Sequence, residues 1–270
     1  MNFCILHPAE PFQIRKVDEQ FKEERETAQM LGFSTLLMSH EDLQEGKWKL
    51  SGDLQSGTRV IYRGWMLTVP EYQIFERLAM ARGLNLLTSS EQYQSTHQLP
   101  FWYPLLKEHT PESRFFENAK EAILGLQDVS WKAFFVKDWV KSLSTGRGPV
   151  AHHLSEIADI EQQMIHFRGG VEGGLCVREF EPLVANTEER CFVVHGKVFL
   201  RAGVAEKHPQ IAHLAHIAAQ KVGSLFFSVD IALDEKGKAR IIELGDGQMS
   251  DLKHWNLENF ALVLQYLKEN

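Results

Sequence analysis

The sequence has no cysteine pair at metal-binding or redox spacing. Its three cysteines, Cys4, Cys176 and Cys191, stand singly inside apolar, strand-like runs. Without a CxxC or a Cys/His cluster there is no basis for a thiolate zinc site or a dithiol redox centre, and the thiols read as buried and reduced. Excess positive charge is also lacking. The formal net charge is −7, which argues against non-specific attraction to nucleic acid or anionic membrane and leaves room only for a local basic pocket. No apolar run approaches the ~18 residues that a membrane-spanning helix needs. The start, MNFCILHPAEPF, lacks the basic flank and apolar stretch of a signal peptide, so a cytoplasmic protein is expected. Internal repeats, low-complexity tracts and coiled-coil heptads are missing, as are a GxxxxGK[ST] phosphate loop and the HRD and DFG signatures of protein kinases. What is present is ordinary for a globular chain: 44% hydrophobic and 24% charged over 270 residues, enough for one large core or two smaller ones.

Along the first ninety residues the pattern is strand, helix, strand, strand, helix, strand. Strands are expected at 2–6, 33–38, 59–62 and 84–87, and helices at 18–31 and 70–82, each helix stopped by a glycine. That order suggests a small parallel α/β layer. Arg63 follows the third strand in RVIYRGW, where ligands of such sheets gather, and is a candidate for gripping an anion, with a surface ion pair as the alternative. Residues 89–112 read as an aromatic, proline-containing loop, followed by a helix over 112–125 that starts after Thr110-Pro111. Helices are further expected at 155–167, with Ser155 as N-cap, at 211–222 and at 257–267. Glu188–Val194 and VFLRAGV flank the turn His195-Gly196-Lys197 as a hairpin.

The organising stretch is SVDIALDEKGKARIIELGDGQMSD, Ser228 to Asp251, a two-stranded hairpin whose apolar runs are interrupted by Asp230 and Glu243. If Leu233 and Arg240 close the turn as opposite neighbours, Asp230 faces Glu243, with Cβ atoms ~5 Å apart on one face. Two such carboxylates repel unless a cation sits between them, and oxygen donors suit Mg²⁺ shared with substrate phosphates. Two edge-strand acids facing water are the alternative. Gly245-Asp246-Gly247-Gln248 brings flexible backbone and a further carboxylate to the strand end.

Upstream, KAFFVKDWV is a strand pattern that breaks into KSLSTGRGPV, rich in hydroxyls, glycine amides and cations of the kind that surround a polyphosphate. A solvated basic turn would look the same. Lys137 weighs against that alternative, because a lone ammonium within an apolar strand is expensive.

In this order the motifs resemble the ATP-grasp superfamily, and YRGWML, FFVKDWVKS and ELGDGQ look like its divergent Arg-and-two-Lys clade of bacterial and phage proteins. The resemblance implies an α/β fold, α+β in the C-terminal part. Residues 1–95 would form a small pre-ATP-grasp domain and 96–270 the ATP-grasp domain. It further implies that ATP lies between two subdomains. Lys137 and Lys141 would be the paired lysines, with Ser142 and the loop to Gly148 on the phosphates. Glu179, Phe180, Glu181 and Leu183 would form the adenine hinge, with Val136 and Leu183 among the apolar walls. Glu188, in the strand with Arg190, Phe192 and Val193, would hold the ribose, with Glu181 as a second candidate. Asp230 and Glu243 would hold Mg²⁺. The superfamily's usual Glu-x-Asn is broken here, since Gly245 stands two after Glu243, so Asp246 or Gln248 would supply the third oxygen. The implied activity is a Mg-ATP-dependent ligase joining a carboxylate to an amine or thiol through an acyl phosphate. Arg190, Arg201 and Arg63 would then clamp the acceptor or the transferring phosphate. The acceptor, whether amino acid, peptide or protein, is left open. A second reading, from similarity to eukaryotic chaperones that assemble a translation initiation factor, is an ATP-binding assembly or protein-modifying factor that docks a protein partner. A kinase-like phosphotransferase ranks below both.

Overall fold

The computed structural model describes residues 2–144 and 146–270. Its strands form three sheets. The first is built on β1 (Phe3–Glu10), which pairs in parallel with β3 (Ser34–Met38) and β4 (Arg59–Tyr62), and β4 in turn with β5 (Asn85–Leu86). A short antiparallel strand, β2 (Gln13–Val17), folds back on the far end of β1. The parallel layer is as expected. β1 does not stop at His7-Pro8, however: Pro8 still pairs with Met38. Of the flanking helices, α1 (Lys22–Met30) is entered through a 3-10 turn whose Asp18 carboxylate accepts the Gln20 amide at 3.0 Å. A five-residue helix, α2 (His40–Gln44), is capped by Ser39. In α3 (Val69–Met80), Thr68 and Glu71 form a reciprocal capping box and Pro70 occupies the first turn, where its missing N–H costs nothing.

Residues 89–112 are not a loop. They hold α4 (Ser90–His97) and α5 (Leu99–Leu106), the first opened by a Ser89–Gln92 capping box and the second carrying Pro100 in its first turn. The helix expected over 112–125 is divided into a strand, β6 (Ser113–Phe116), and a shorter helix, α6 (Ala119–Gly125), capped by Asn118. The second sheet has the order β6-β9-β7-β8, with β7 (Phe134–Asp138), β8 (Val150–Ala151) and β9 (Leu175–Glu179). It packs on α6 and α7 (Glu156–Arg168), whose N-cap Ser155 makes no side-chain cap bond.

The third sheet has the order β11-β10-β12-β13: β10 (Glu189–Val194), β11 (Lys197–Phe199), β12 (Phe226–Leu233) and β13 (Ala239–Asp246). After β11 come a short helix, α8 (Val204–Lys207), and α9 (Pro209–Lys221), and α10 (Leu257–Glu269) ends the chain. One face of this sheet buries Val229, Ile231 and Leu244 against α9 and Trp102 of α5. Its other face buries Phe192, Val194 and Phe226 in a core shared with α10 and with Ile5 and Ile61 of the first sheet. Each such side chain contributes about 1.5–3 kcal/mol, so the first and third sheets are locked through α10.

The central hairpin pairs Asp230 with Glu243, as expected, although the premise differs. Leu233 pairs with Ala239 rather than Arg240, and a bulge at Ile242 restores the offset before Asp230 is reached.

Candidate active site

Two cavities meet at Glu243. The smaller, about 140 Å³, lies between the second and third sheets and is lined by Phe135, Lys137, Ser142, Arg178, Glu179, Phe180, Glu181, Leu183, Ile242 and Glu243. Strand alternation explains its β7 wall: Phe135 and Lys137 face the cavity, while Val136 between them is fully buried in the core with α7. The expected apolar wall residue is therefore Phe135, one position away from Val136. The Lys137 ammonium donates to the Val140 carbonyl at 2.8 Å and to Glu243 Oε1 at 3.2 Å. The segment after β9 presents Phe180 and Leu183 half-exposed, and the Glu181 carboxylate is gripped by Arg240 at 2.6 and 2.5 Å. Burial, then the neighbouring Glu181 and Glu112, pushes the Glu179 carboxyl up from its usual value.

At the end of β7, the Asp138 carboxylate accepts the amides of Val140 and Lys141 and the Arg168 guanidinium. That turn delivers Lys141 to the rim of the larger cavity and Ser142 to the smaller one. Arg147 is spent on Glu156 at 2.6 Å and on the Val150 carbonyl. Thr145, in the expected phosphate loop, lies outside the described residues.

The larger cavity, about 680 Å³, opens between the first and third sheets. Phe21, Trp65, Met66, Met249, Leu252 and Leu257 give it an apolar wall, and Glu23, Lys141, Glu243 and Asp251 line its polar side. His97 also lines it, stacked on Tyr93 with ring centroids 4.7 Å apart. Burial, then Lys141 and Lys137, push that imidazole down to about 3, so it is neutral at any working pH.

The three arginines expected to clamp an acceptor are each already paired within the protein, and of them Arg63 and Arg190 line the larger cavity. Arg63 is buried and holds Glu24 through Nε and Nη2 at 2.6 and 2.8 Å, while Nη1 donates to the carbonyls of Gly247, Gln248 and Ser250 at 2.6, 3.0 and 3.0 Å. Arg190 grips Asp230 at 2.8 and 2.8 Å and also reaches Asp251. Arg201 pairs with Glu189 at 2.6 Å and lines neither cavity. Glu188, expected on the ribose, is bound to Lys253 at 2.6 Å and lines neither cavity in this conformation.

The acids differ sharply in availability. Among the described residues, no three His, Cys, Asp or Glu side chains converge as a metal cage. Asp230 is buried, with Arg190 on both oxygens and Lys253 at 2.7 Å. Burial raises its carboxyl, but Arg190 and Lys253 more than offset this and hold it below the usual range. Asp246 does not join Glu243: the pleat turns it to the opposite face, where burial pushes its carboxyl up to about 7 and Gln248 donates to it through its backbone amide and Nε2. Gln248 is itself fully buried, accepting from the Tyr62 amide and donating to Tyr72, so it is no metal ligand either. Glu243 is the open carboxylate. Its side chain is 41% exposed and Oε2 accepts no hydrogen bond among the described residues. Hard oxygen donors suit Mg²⁺, which binds through one or two carboxylates and completes its shell with phosphates and water, so Glu243 fits that ion.

Sequence reasoning misses Phe135, Arg178, Ile242 and Lys253. Alternation from Lys137 identifies Phe135. Lys253 has no local signal, because it reaches Asp230 from a loop position with φ of 45°.

An ATP-grasp domain family, the third of the Arg-and-two-Lys clade, matches residues 89–264 of this chain. No curated protein matches it. Among solved structures, the chain is similar to D-alanyl-alanine synthetase A from Vibrio cholerae O1 biovar eltor str. N16961 at 12% identity, over 100% of this chain and 99% of that one, with a TM-score of 0.64. It is similar to a RimK domain protein ATP-grasp from Sphaerobacter thermophilus DSM 20745 at 12% identity, over 97% and 96%, with a TM-score of 0.63. The ATP-grasp ligase PsnB, solved with a phosphomimetic variant of its minimal precursor, Mg and ADP, matches at 12% identity over 96% and 97%, with a TM-score of 0.61.

Proposed function

This chain belongs to the ATP-grasp family, in the third family of the Arg-and-two-Lys clade, and from that premise we propose that it is a Mg-ATP-dependent ligase that joins a carboxylate to an amine. The observation that carries this reading is the position of Glu243, which lines both cavities and pairs with Lys137 where they meet. The smaller cavity suits an adenine between Phe135, Phe180 and Leu183, with the hinge backbone at its edge. Lys137 and Ser142 would take the phosphates, with Lys141 at the rim of the adjoining cavity. Glu243 would hold magnesium, whose chemistry there would be to offset negative charge on the phosphates. The larger cavity would receive the acceptors. At the junction a substrate carboxylate would take the γ-phosphoryl group of ATP, releasing ADP, and an amine would then displace inorganic phosphate from the acyl phosphate, with no nucleophilic side chain needed. Its apolar wall and mixed polar side suit an amino acid or peptide whose apolar portion lies against Trp65 and Phe21. In the larger cavity Arg63, Arg190 and Lys253 are already paired, so Lys141 is the lysine or arginine of that lining for which no ion pair is found among the described residues.

Calorimetry with ADP and Mg²⁺ tests the nucleotide half. Lys137→Met should weaken ADP about ten- to a hundredfold, the loss of a charge-assisted bond of about 1.5–3 kcal/mol. ADP release from ATP, screened over carboxylates and amines, tests the ligase half. ADP formation that ignores every carboxylate, alongside a stable protein partner in pull-downs, would favour the assembly-factor reading instead.

A further inference from the structure

Asp230 and Glu243 face each other across two strands, yet only one of them is open. Both Asp230 oxygens are occupied by cations of the chain itself: Arg190 Nε on Oδ1, Arg190 Nη2 and Lys253 Nζ on Oδ2. These cations are in turn fixed from behind, Arg190 by the Asp251 carboxylate and carbonyl and Lys253 by Glu188. Glu188, the other carboxylate beside Asp230, is itself held by Lys253 at 2.6 Å. Gly245, next on the face after Glu243, has no side chain, and the Ser228 and Ser250 hydroxyls above it bond each other at 2.7 Å.

We propose that Asp230 is not a metal ligand but the anchor of a built-in pair of cations, Arg190 and Lys253, so that the nucleotide complex takes a single divalent cation, held by Glu243. The inference rests on the nucleotide reading above and deepens it. Physically, the guanidinium and ammonium occupy the space beside Glu243 that a second ion would need. They present fixed positive charge toward the triphosphate without dissociating. Removing a buried carboxylate from a paired guanidinium is costly, so a metal arriving with nucleotide meets Glu243 far more cheaply than Asp230. A single carboxylate with phosphate oxygens and water is a sufficient set for Mg²⁺. Lys253 is the replaceable member, since its side chain is 28% exposed while that of Arg190 is only 10% exposed.

The test counts bound Mn²⁺ by electron paramagnetic resonance in the presence of saturating ADP, with folding of each variant checked by circular dichroism. Wild type should bind one tight Mn²⁺ per protein. Glu243→Gln should weaken that ion about tenfold or more, and Asp230→Asn, which removes a neighbouring charge but no ligand, should weaken it distinctly less. Should Asp230→Asn fail to fold, Lys253→Met carries the test: unblocking Asp230 should add a second, weaker Mn²⁺. Two tight ions in wild type overturn the proposal, as does equal weakening in Asp230→Asn and Glu243→Gln, or an unchanged count in Lys253→Met. Failure of wild type to bind ADP, with or without Mn²⁺, would remove the nucleotide reading itself. Two ions with ADP bound would leave that reading intact and sink only this inference.

Discussion

Replacing Arg63 by leucine should be among the most destabilising single changes in the molecule. The guanidinium is 2% exposed, bonded through Nε and Nη2 to a buried Glu24 and through Nη1 to three carbonyls of the segment after β13. It also lies 4.8 Å above the Phe260 ring. Removing one partner of a buried ion pair costs about 3–5 kcal/mol, because the other charge is left without compensation. The loss should depend on pH in a defined way. In wild type, burial raises the Glu24 carboxyl but Arg63 outweighs it and holds the group below its usual value. Its contribution is therefore present above the unfolded carboxylate range and fades as pH falls. In Arg63→Leu the remaining partner, His7 at 4.0 Å, is itself buried and does not offset the burial of Glu24, so Glu24 moves up and the variant loses stability as pH rises from about 4 toward neutrality. Urea unfolding of both proteins at pH 5 and pH 7.5 should thus give a gap that widens with pH. Glu24→Leu added to Arg63→Leu should recover part of it. The double variant should still fall short of wild type, because unpaired buried carbonyls cost about 1–3 kcal/mol each. A gap below about 1 kcal/mol at pH 7.5, or one that narrows as pH rises, would refute the account.

Asp246→Asn should stabilise the protein at pH 8 and do little at pH 4. Burial pushes the folded carboxyl up to about 7, so the stability that its protonated form supplies is lost as pH rises through that value, and the amide removes the loss; urea midpoints across that range measure it. Gly247→Ala should destabilise by about 1–3 kcal/mol through overpacking, since the new Cβ would run into the Phe226 ring; thermal melting reads it, and an unchanged melting temperature would contradict the close approach. All three thiols are buried, and burial pushes Cys176 up to about 11 and Cys4 and Cys191 upward as well. Ellman's reagent should therefore react slowly with the native protein and promptly with three groups after denaturation; fast native titration of any one would place that thiol at the surface.

The elements legible in the sequence are those whose patterning is local. β3, β4, α3, α9 and α10 declare themselves by apolar period and by glycine or capping residues. The segment at 89–112 misleads because Pro100, Pro104 and a run of aromatics resemble a loop, whereas a first-turn proline is compatible with a helix and the Ser89–Gln92 capping box marks its start. The acid pair is reached through a compensated error, since the closing pair moves by one residue and the Ile242 bulge moves it back. The arginines mislead for a different reason. Their partners lie far off in sequence: Glu24 is 39 residues from Arg63, and Asp230 is 40 from Arg190. A sequence shows which residues can grip an anion, but whether the fold has already supplied one depends on pairs that no periodicity encodes.

Those long-range pairs form a single chain of constraint from the first sheet to the junction of the cavities. Arg63, at the end of β4, fixes the carbonyls of Gly247, Gln248 and Ser250. The same segment is pinned to β13 by the Met249 and Ser250 amides on the Asp246 carbonyl. Held so, the chain turns through Asp251 and reaches Lys253 in a left-handed conformation, a geometry that costs a non-glycine residue of order 1 kcal/mol and persists only where its surroundings dictate it. The position so imposed sets the Lys253 ammonium on Asp230 and the Asp251 carboxylate on Arg190. An arginine that looks from its sequence context like a substrate clamp thus acts instead on the protein's own backbone. By doing so it determines which of the two facing acids is closed by internal cations and which, Glu243, is left open where the two cavities join.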